Sequence, residues 1–118
     1  MMLDVTPALE RAAVKYSKGD DDMSFVLAVM IRIKPENVER FMAQALANAR
    51  EARKEPGCRQ FEVLVDPADR TKVMLFEIYD DDKAFEAHQQ TPHFKKYVAE
   101  AVPLLESRER HTLQRALS

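Results

Sequence analysis

The sequence predicts one α+β domain in which helices shield one side of an antiparallel sheet. Two observations lead there. Strand-period and helix-period segments follow one another in the order β-α-β-β-α-α-β, and one strand is apolar on both of its faces. The 118 residues suit a single domain. With 46% apolar and 32% charged residues, the composition is that of a globular rather than a disordered chain.

Residues 1–22 stand apart as an N-terminal helical extension and linker, and residues 23–118 form the domain. Val5, Leu9, Ala12, Ala13 and Tyr16 recur at helical spacing, and Lys18-Gly19-Asp20-Asp21-Asp22 reads as a polar linker. The run SFVLAVMIRIK over 24–34 is the doubly apolar strand. It sets Phe25, Leu27, Val29, Ile31 and Ile33 against Val26, Ala28 and Met30, as a central strand does. Pro35 suits the first turn of the next helix. Val38, Phe41, Met42, Ala45, Ala49 and Ala52 form that helix's stripe, and Pro56-Gly57 ends it near Glu55.

Residues 58–66 alternate, with Phe61, Val63 and Val65 opposite Gln60, Glu62 and Asp66. Pro67-Ala68-Asp69-Arg70 supplies turn chemistry. KVMLFEIY over 72–79 is the next strand, so 58–79 reads as a hairpin. Asp80, Asp81 and Asp82 favour the start of a helix running to about Gln90. Thr91-Pro92 opens another, whose stripe is Phe94, Tyr97, Val98, Ala101 and Leu105, kinked at Pro103. The tail from about Arg108 to Leu117 reads as a polar edge strand. This order gives the ferredoxin-like split βαβ sandwich. Its helices leave one sheet face bare, and a second copy of the chain is the simplest cover, so a homodimer is expected.

Composition excludes several functions. Gly19 and Gly57 are the only glycines and lie far apart, so glycine-rich nucleotide loops are absent. A net charge of −2 gives no pull toward nucleic acid or an anionic membrane. No apolar run is long enough to span a bilayer, and the N-terminus lacks the pattern of a secretory signal. The single cysteine, Cys58, fits a reducing, cytoplasmic setting and reads as a small buried hydrophobe. No metal and no cofactor are expected: the three histidines show no ligand spacing, and Cys58 has no Cys or His beside it.

The run EPGCRQFEVLVDPADRTKVMLFEIYDDDKAFEAHQQTPHFKKY resembles the core signature of the antibiotic-biosynthesis-monooxygenase group of dimeric α/β barrels. The shared elements are a helix ending in Glu-x-Gly-Cys, a strand, a Pro-containing turn, a strand carrying Glu, an Asp-led helix with His, and Thr-Pro-His. The resemblance covers about residues 23–113 and implies the fold and the dimer derived above. It also implies a choice of reactions: cofactor-free oxygenation of quinols or polyketide phenols, haem degradation, or isomerisation of a phosphorylated signalling compound. Haem-degrading members are expected to use a Trp, and this chain has none. The isomerase branch is expected to carry His directly after the position of Asn48, where this chain has Ala49.

Four polar residues fall where chemistry is expected. Asn48 lies near the edge of its helix's apolar stripe and either bonds backbone or faces a pocket. Glu77 shares a strand face with Val73, Leu75 and Tyr79, so its carboxyl is either paired with an Arg or raised in pKa. His88 projects beside Ala84 and Phe85, as a core residue or as a general base oriented by Glu77. His93 sits in the first turn of its helix, whose positive end favours neutral imidazole. His111 falls on the edge strand. Tyr97, Phe61 and Tyr79 are candidate substrate-binding residues, with core packing the alternative.

The leading expectation is a cofactor-independent monooxygenase in which His88 or His93 deprotonates a quinol or hydroxylated aromatic that then reduces dioxygen. The first alternative is an isomerase or tautomerase using the same base beside a carbonyl. A phosphorylated substrate would need a basic wall, with Arg59, Lys95 and Lys96 as candidates. The second alternative is a non-catalytic ligand-binding dimer. An enzyme of either kind is expected to show a cavity of roughly 300 Å³ or more beside His88.

Overall fold

The computed structural model describes residues 23–117. The expected extension over 1–22 lies outside them. Strand β1 (Phe25–Ile33) leads through a 3₁₀ turn (Pro35–Asn37) into α1 (Val38–Ala52). Strands β2 (Cys58–Asp66) and β3 (Asp69–Tyr79) form the hairpin. Helices α2 (Asp82–Gln89) and α3 (Pro92–Glu100), a 3₁₀ turn (Val102–Leu104) and β4 (Leu105–Leu113) complete the chain. The four strands are antiparallel in the order β2-β3-β1-β4. This is the ferredoxin-like arrangement, with the doubly apolar β1 in the interior of the sheet.

The register explains the two faces. Leu27 stands opposite Glu77 on β3 and Thr112 on β4, and Val29 opposite Leu75 and Arg110. These rows face the helices. Phe41, Ala45, Ala49 and Ala52 of α1 pack on them, together with Phe61, Tyr79, Phe85 and Tyr97. Small alanines let α1 lie close to the sheet, and Phe41 and Phe61 fill the space beside them; truncating a buried Phe to Ala costs about 3–5 kcal/mol. The opposite face carries Val26, Ala28 and Met30, with Met74, Phe76 and Ile78 as their partners on β3.

Several boundaries differ from the sequence reading. Helix α1 stops at Ala52, because Arg53, Lys54 and Glu55 wind on as turns whose N–H groups still donate to Ala49, Glu51 and Ala52. The last helix does not run through Pro103 with a kink. It ends at Glu100, and Pro103 sits in the short 3₁₀ turn, where its missing N–H costs nothing. Leu105 therefore belongs to β4 rather than to the helical stripe, and β4 spans Leu105–Leu113 instead of starting near Arg108. Val65, expected on the buried face of β2, is 38% exposed, since the helices do not reach that end of the edge strand.

Two local devices set the positions of the functional side chains. An added Cβ at Gly57 would lie 2.4 Å from the Cβ of Ala84, so only glycine lets the turn after α1 meet the start of α2. Thr91 joins α2 to α3. Its hydroxyl donates to the His88 carbonyl at 2.7 Å and accepts from the Phe94 N–H at 3.2 Å. As cap before Pro92, it fixes the offset between His88 at the end of one helix and His93 at the start of the next.

Candidate active site

Between the sheet and the helices lies a cavity of about 90 Å³, lined by Leu27, Leu75, Asn48, Glu77, Phe85, His88, Phe94, Tyr97, Val98, Arg108 and Arg110. Four of the expected site residues, Asn48, Glu77, His88 and Tyr97, meet there. The cavity is smaller than the roughly 300 Å³ expected from sequence, and Phe85, Phe94 and Val98 are among its apolar walls. At roughly 30 Å³ per water, it has room for about three waters.

The polar groups of this cavity are buried, and two lack partners. Asn48 and Glu77 are each 4% exposed and His88 1%. Neither the Asn48 Oδ1 nor the Tyr97 hydroxyl has a hydrogen-bond partner among the described residues. Each such orphan costs about 1–3 kcal/mol in a dry core, so the pair mark a place where a polar ligand would repay the loss. Burial also pushes the Tyr97 hydroxyl up, which keeps it a proton donor.

Glu77 does not orient His88, contrary to the sequence reading. The Tyr79 hydroxyl, itself pushed up by burial, donates to Glu77 Oε1 at 2.6 Å. The ring of Tyr79 is fully buried, so this residue supports Glu77 and does not line the cavity. Burial raises the Glu77 carboxyl to about 7, against a lowering by the Tyr79 bond and by the charge of Arg110. Glu77 is thus an acid near neutrality, able to donate from its second oxygen.

The partner of His88 is Glu55, which the sequence reading missed. His88 Nδ1 lies 2.8 Å from Glu55 Oε2, and His93 Nε2 lies 2.5 Å from the same oxygen. Glu55 reaches this point because the turn after α1 is pinned: its N–H donates to Ala52 and its carbonyl accepts from Cys58. The Glu-Pro-Gly-Cys segment was the available signal, but it read only as a helix stop. Burial holds the His88 imidazole below its ordinary range, opposed by the Glu55 bond. A carboxylate accepts, so neutral His88 carries its proton on Nδ1 and its lone pair on Nε2. The rings of Phe61, Tyr79 and Phe94 surround it, with centroids 6.0, 5.2 and 5.1 Å away. Phe61 is 1% exposed and acts as a wall behind His88 rather than as a substrate contact.

His93 is outside the cavity lining; it shares Glu55 Oε2 with His88, and the two rings are tilted against each other with centroids 5.8 Å apart. His111 is on the bare sheet face, 3.5 Å from Glu109. Burial pushes the Cys58 thiol up to about 11, so it stays protonated, in keeping with its reading as a small packed side chain. The basic groups at the cavity are Arg108 and Arg110 of β4, not the expected trio. Arg59 binds Asp80 at 2.7 Å, and Lys95 and Lys96 point to solvent. The guanidinium of Arg110 stands 5.8 Å from the ring centre of Phe85, which holds it over the cavity.

The comparisons with known proteins agree with this architecture. A 4-hydroxy-5-phosphonooxypentane-2,3-dione isomerase of Klebsiella pneumoniae is 45% identical over 69 residues, 58% of this chain and 70% of its own length. The Salmonella typhimurium protein of that name is 36% identical over 80 residues, 68% of this chain and 83% of its own. A Bacillus subtilis protein named as a candidate monooxygenase is 30% identical over 80 residues, 68% of this chain and 84% of its own. Among solved structures, one from Pseudomonas aeruginosa is 28% identical with a TM-score of 0.75, covering 82% of this chain and 98% of its own. The family model for antibiotic biosynthesis monooxygenases matches residues 24–100, so the chain belongs to that family.

Proposed function

We propose that this chain is a homodimeric isomerase of a small phosphorylated hydroxy-ketone, of the kind named for its enterobacterial relatives. The observation that carries the reading is Arg108 and Arg110 on the wall of the cavity that also holds neutral His88. A neutral imidazole takes a proton from carbon, and two guanidinium groups on one strand hold a phosphate. At about 90 Å³ the cavity falls short of the roughly 300 Å³ expected of an enzyme pocket, so on this reading it takes only the reacting carbons and oxygens, and the phosphate lies outward on the exposed Arg108 and Arg110.

The chemistry follows from the groups present. The proton on the carbinol carbon passes to His88 Nε2, and its electron pair forms an enediolate with the neighbouring carbonyl. That proton then returns to the former carbonyl carbon, while Glu77 gives its proton to the former carbonyl oxygen and takes one back from the original hydroxyl, so carbonyl and hydroxyl exchange places and the composition is unchanged. Glu55 holds the imidazole and stabilises its transient charge. Protonated Glu77 and the Tyr97 hydroxyl donate to the enediolate oxygens, and Asn48 Oδ1 accepts from the substrate hydroxyl. The bare apolar sheet face supports a dimer, because a second copy would cover Met30, Met74 and Phe76.

The test is to follow a phosphorylated hydroxy-dione by ³¹P and ¹³C NMR with and without dioxygen. Isomerisation at the same rate in both is the expected result. No turnover without oxygen, together with oxidation of a quinol in air, would replace this reading with the oxygenase that the Bacillus relative's name indicates.

A further inference from the structure

Glu55, His88 and His93 come from three separate segments, yet one ligating atom of each converges on one point. Glu55 Oε2, His88 Nδ1 and His93 Nε2 all lie within 4.8 Å of one another. We propose that these three residues form a zinc site, distinct from the substrate cavity and on the opposite side of the His88 ring.

The donor set selects the ion. Two imidazole nitrogens and one carboxylate oxygen suit zinc, whereas calcium and magnesium ask for an oxygen cage. Three protein ligands leave a fourth tetrahedral position for water. Tetrahedral bonds of about 2.0–2.1 Å place neighbouring ligand atoms roughly 3.4 Å apart. The two contacts to Glu55 therefore need to open by less than about 1 Å, and the two histidine nitrogens, up to 4.8 Å apart, need to close by at most about 1.4 Å, a move left to the partly exposed His93. The Glu55 side chain, 14% exposed, has the freedom to make that move, and His93, 20% exposed, gives a way in from solvent.

The rest of the site is already braced. Phe61, Tyr79 and Phe94 fix the His88 ring, and Thr91 sets His93 relative to it. Zinc would take the lone pair of His88 Nδ1 in place of the proton now shared with Glu55. The remaining proton must then sit on Nε2, the nitrogen assigned above as the base. Resting on that assignment, zinc occupancy and isomerisation exclude one another, and the site acts as an off-switch.

The experiment is zinc titration of the whole chain by calorimetry, with metal content measured after dialysis. One zinc per chain is expected. His93→Ala and Glu55→Gln should each weaken binding by roughly 10–100-fold or more, a loss already typical of groups that only orient a ligand. His111→Ala and Cys58→Ser, which alter the remaining histidine and the one cysteine, should change nothing. His93 is partly exposed, so its variant is expected to fold, and His93→Gln checks the same point with a side chain of similar bulk. Affinity weaker than about 100 μM, or affinity that survives both His93 variants, would overturn the site. Saturating zinc should also abolish isomerisation, with recovery on adding a chelator. Zinc bound tightly with turnover intact would leave the site standing and instead remove His88 Nε2 as the base.

Discussion

The two faces of the sheet are built from alternate residues of the same strands and differ in what they bury. On the helix-covered face, the row through Leu27, Glu77 and Phe61 places one carboxyl among apolar neighbours, and α1 and α2 add Asn48 and His88 above it. On the bare face, the rows through Ala28 and Met30 put Phe76, Met74 and Leu64 side by side, with charged groups such as Glu62 and Glu109 toward the edges. The covered face keeps costly polar groups in its interior. Among the described residues, the bare face leaves Met30 44% and Leu64 48% exposed at one end, while Val26, Ala28 and Ile78 at the other are buried. On the proposed function, a small molecule removes the cost on one side and a second chain on the other.

Removing His88 is the strongest way to break this contrast. His88→Ala should lower kcat by roughly 10²–10⁴-fold, the usual worth of a positioned base. Steady-state turnover of the phosphorylated hydroxy-dione checks it, with thermal melting to confirm that the variant is folded. A variant retaining most of its rate would mean that the buried polar groups are packing features only.

The second test acts on the other face. Phe76→Glu places a carboxylate among Ala28, Glu62 and their neighbours without touching the cavity. Sedimentation should then find monomer where the unaltered chain gives dimer. An unaltered chain that sediments as a monomer would remove the dimer from the proposal.

The elements themselves were legible from residue types. β1 declared its interior place by being apolar on both faces, and Thr91-Pro92 and Asp81 marked helix starts that the structure caps with those side chains. Asn48, Glu77, His88 and Tyr97 were each legible as polar groups on apolar faces. Their pairing was not. Glu77 was expected to hold His88, but the register puts Glu77 beside Tyr79 on its own strand, while Glu55 arrives from a turn. Periodicity says which way a side chain points within its element. It carries no information on how two elements are offset, and here Gly57 and Thr91 set that offset through contacts between elements.

Glu77 sharpens the comparison through pH. Burial raises its carboxyl from an ordinary 4.5 to about 7, so in this window the folded chain keeps a proton that the unfolded chain releases. Stability must therefore fall as pH rises from about 4.5 to about 7, by roughly 3 kcal/mol at most. Glu77→Gln keeps an acceptor for Tyr79 and should flatten that dependence, as urea midpoints across the window would register. Equal slopes in both proteins would mean that Glu77 is hydrated and ionised in the folded state.

The mildest effect is expected at β4, where neighbouring residues serve opposite faces. Arg110 pairs across from Val29 on the covered side, while Glu109 and His111 pair with Met30 and Ala28 on the bare side. A charge-assisted bond from Arg to phosphate is worth about 1.5–3 kcal/mol. Arg110→Ala should therefore raise KM for the phosphorylated substrate by roughly 10–100-fold, with kcat nearly unchanged, because the phosphate is held equally before and during proton transfer. The same change should leave KM for an unphosphorylated hydroxy-ketone alone. Glu109→Ala and His111→Ala should leave both KM values alone and shift only dimer affinity. If all three substitutions moved KM together, the strand would be acting as one unit at the dimer edge, and the division of labour between its two faces would fail.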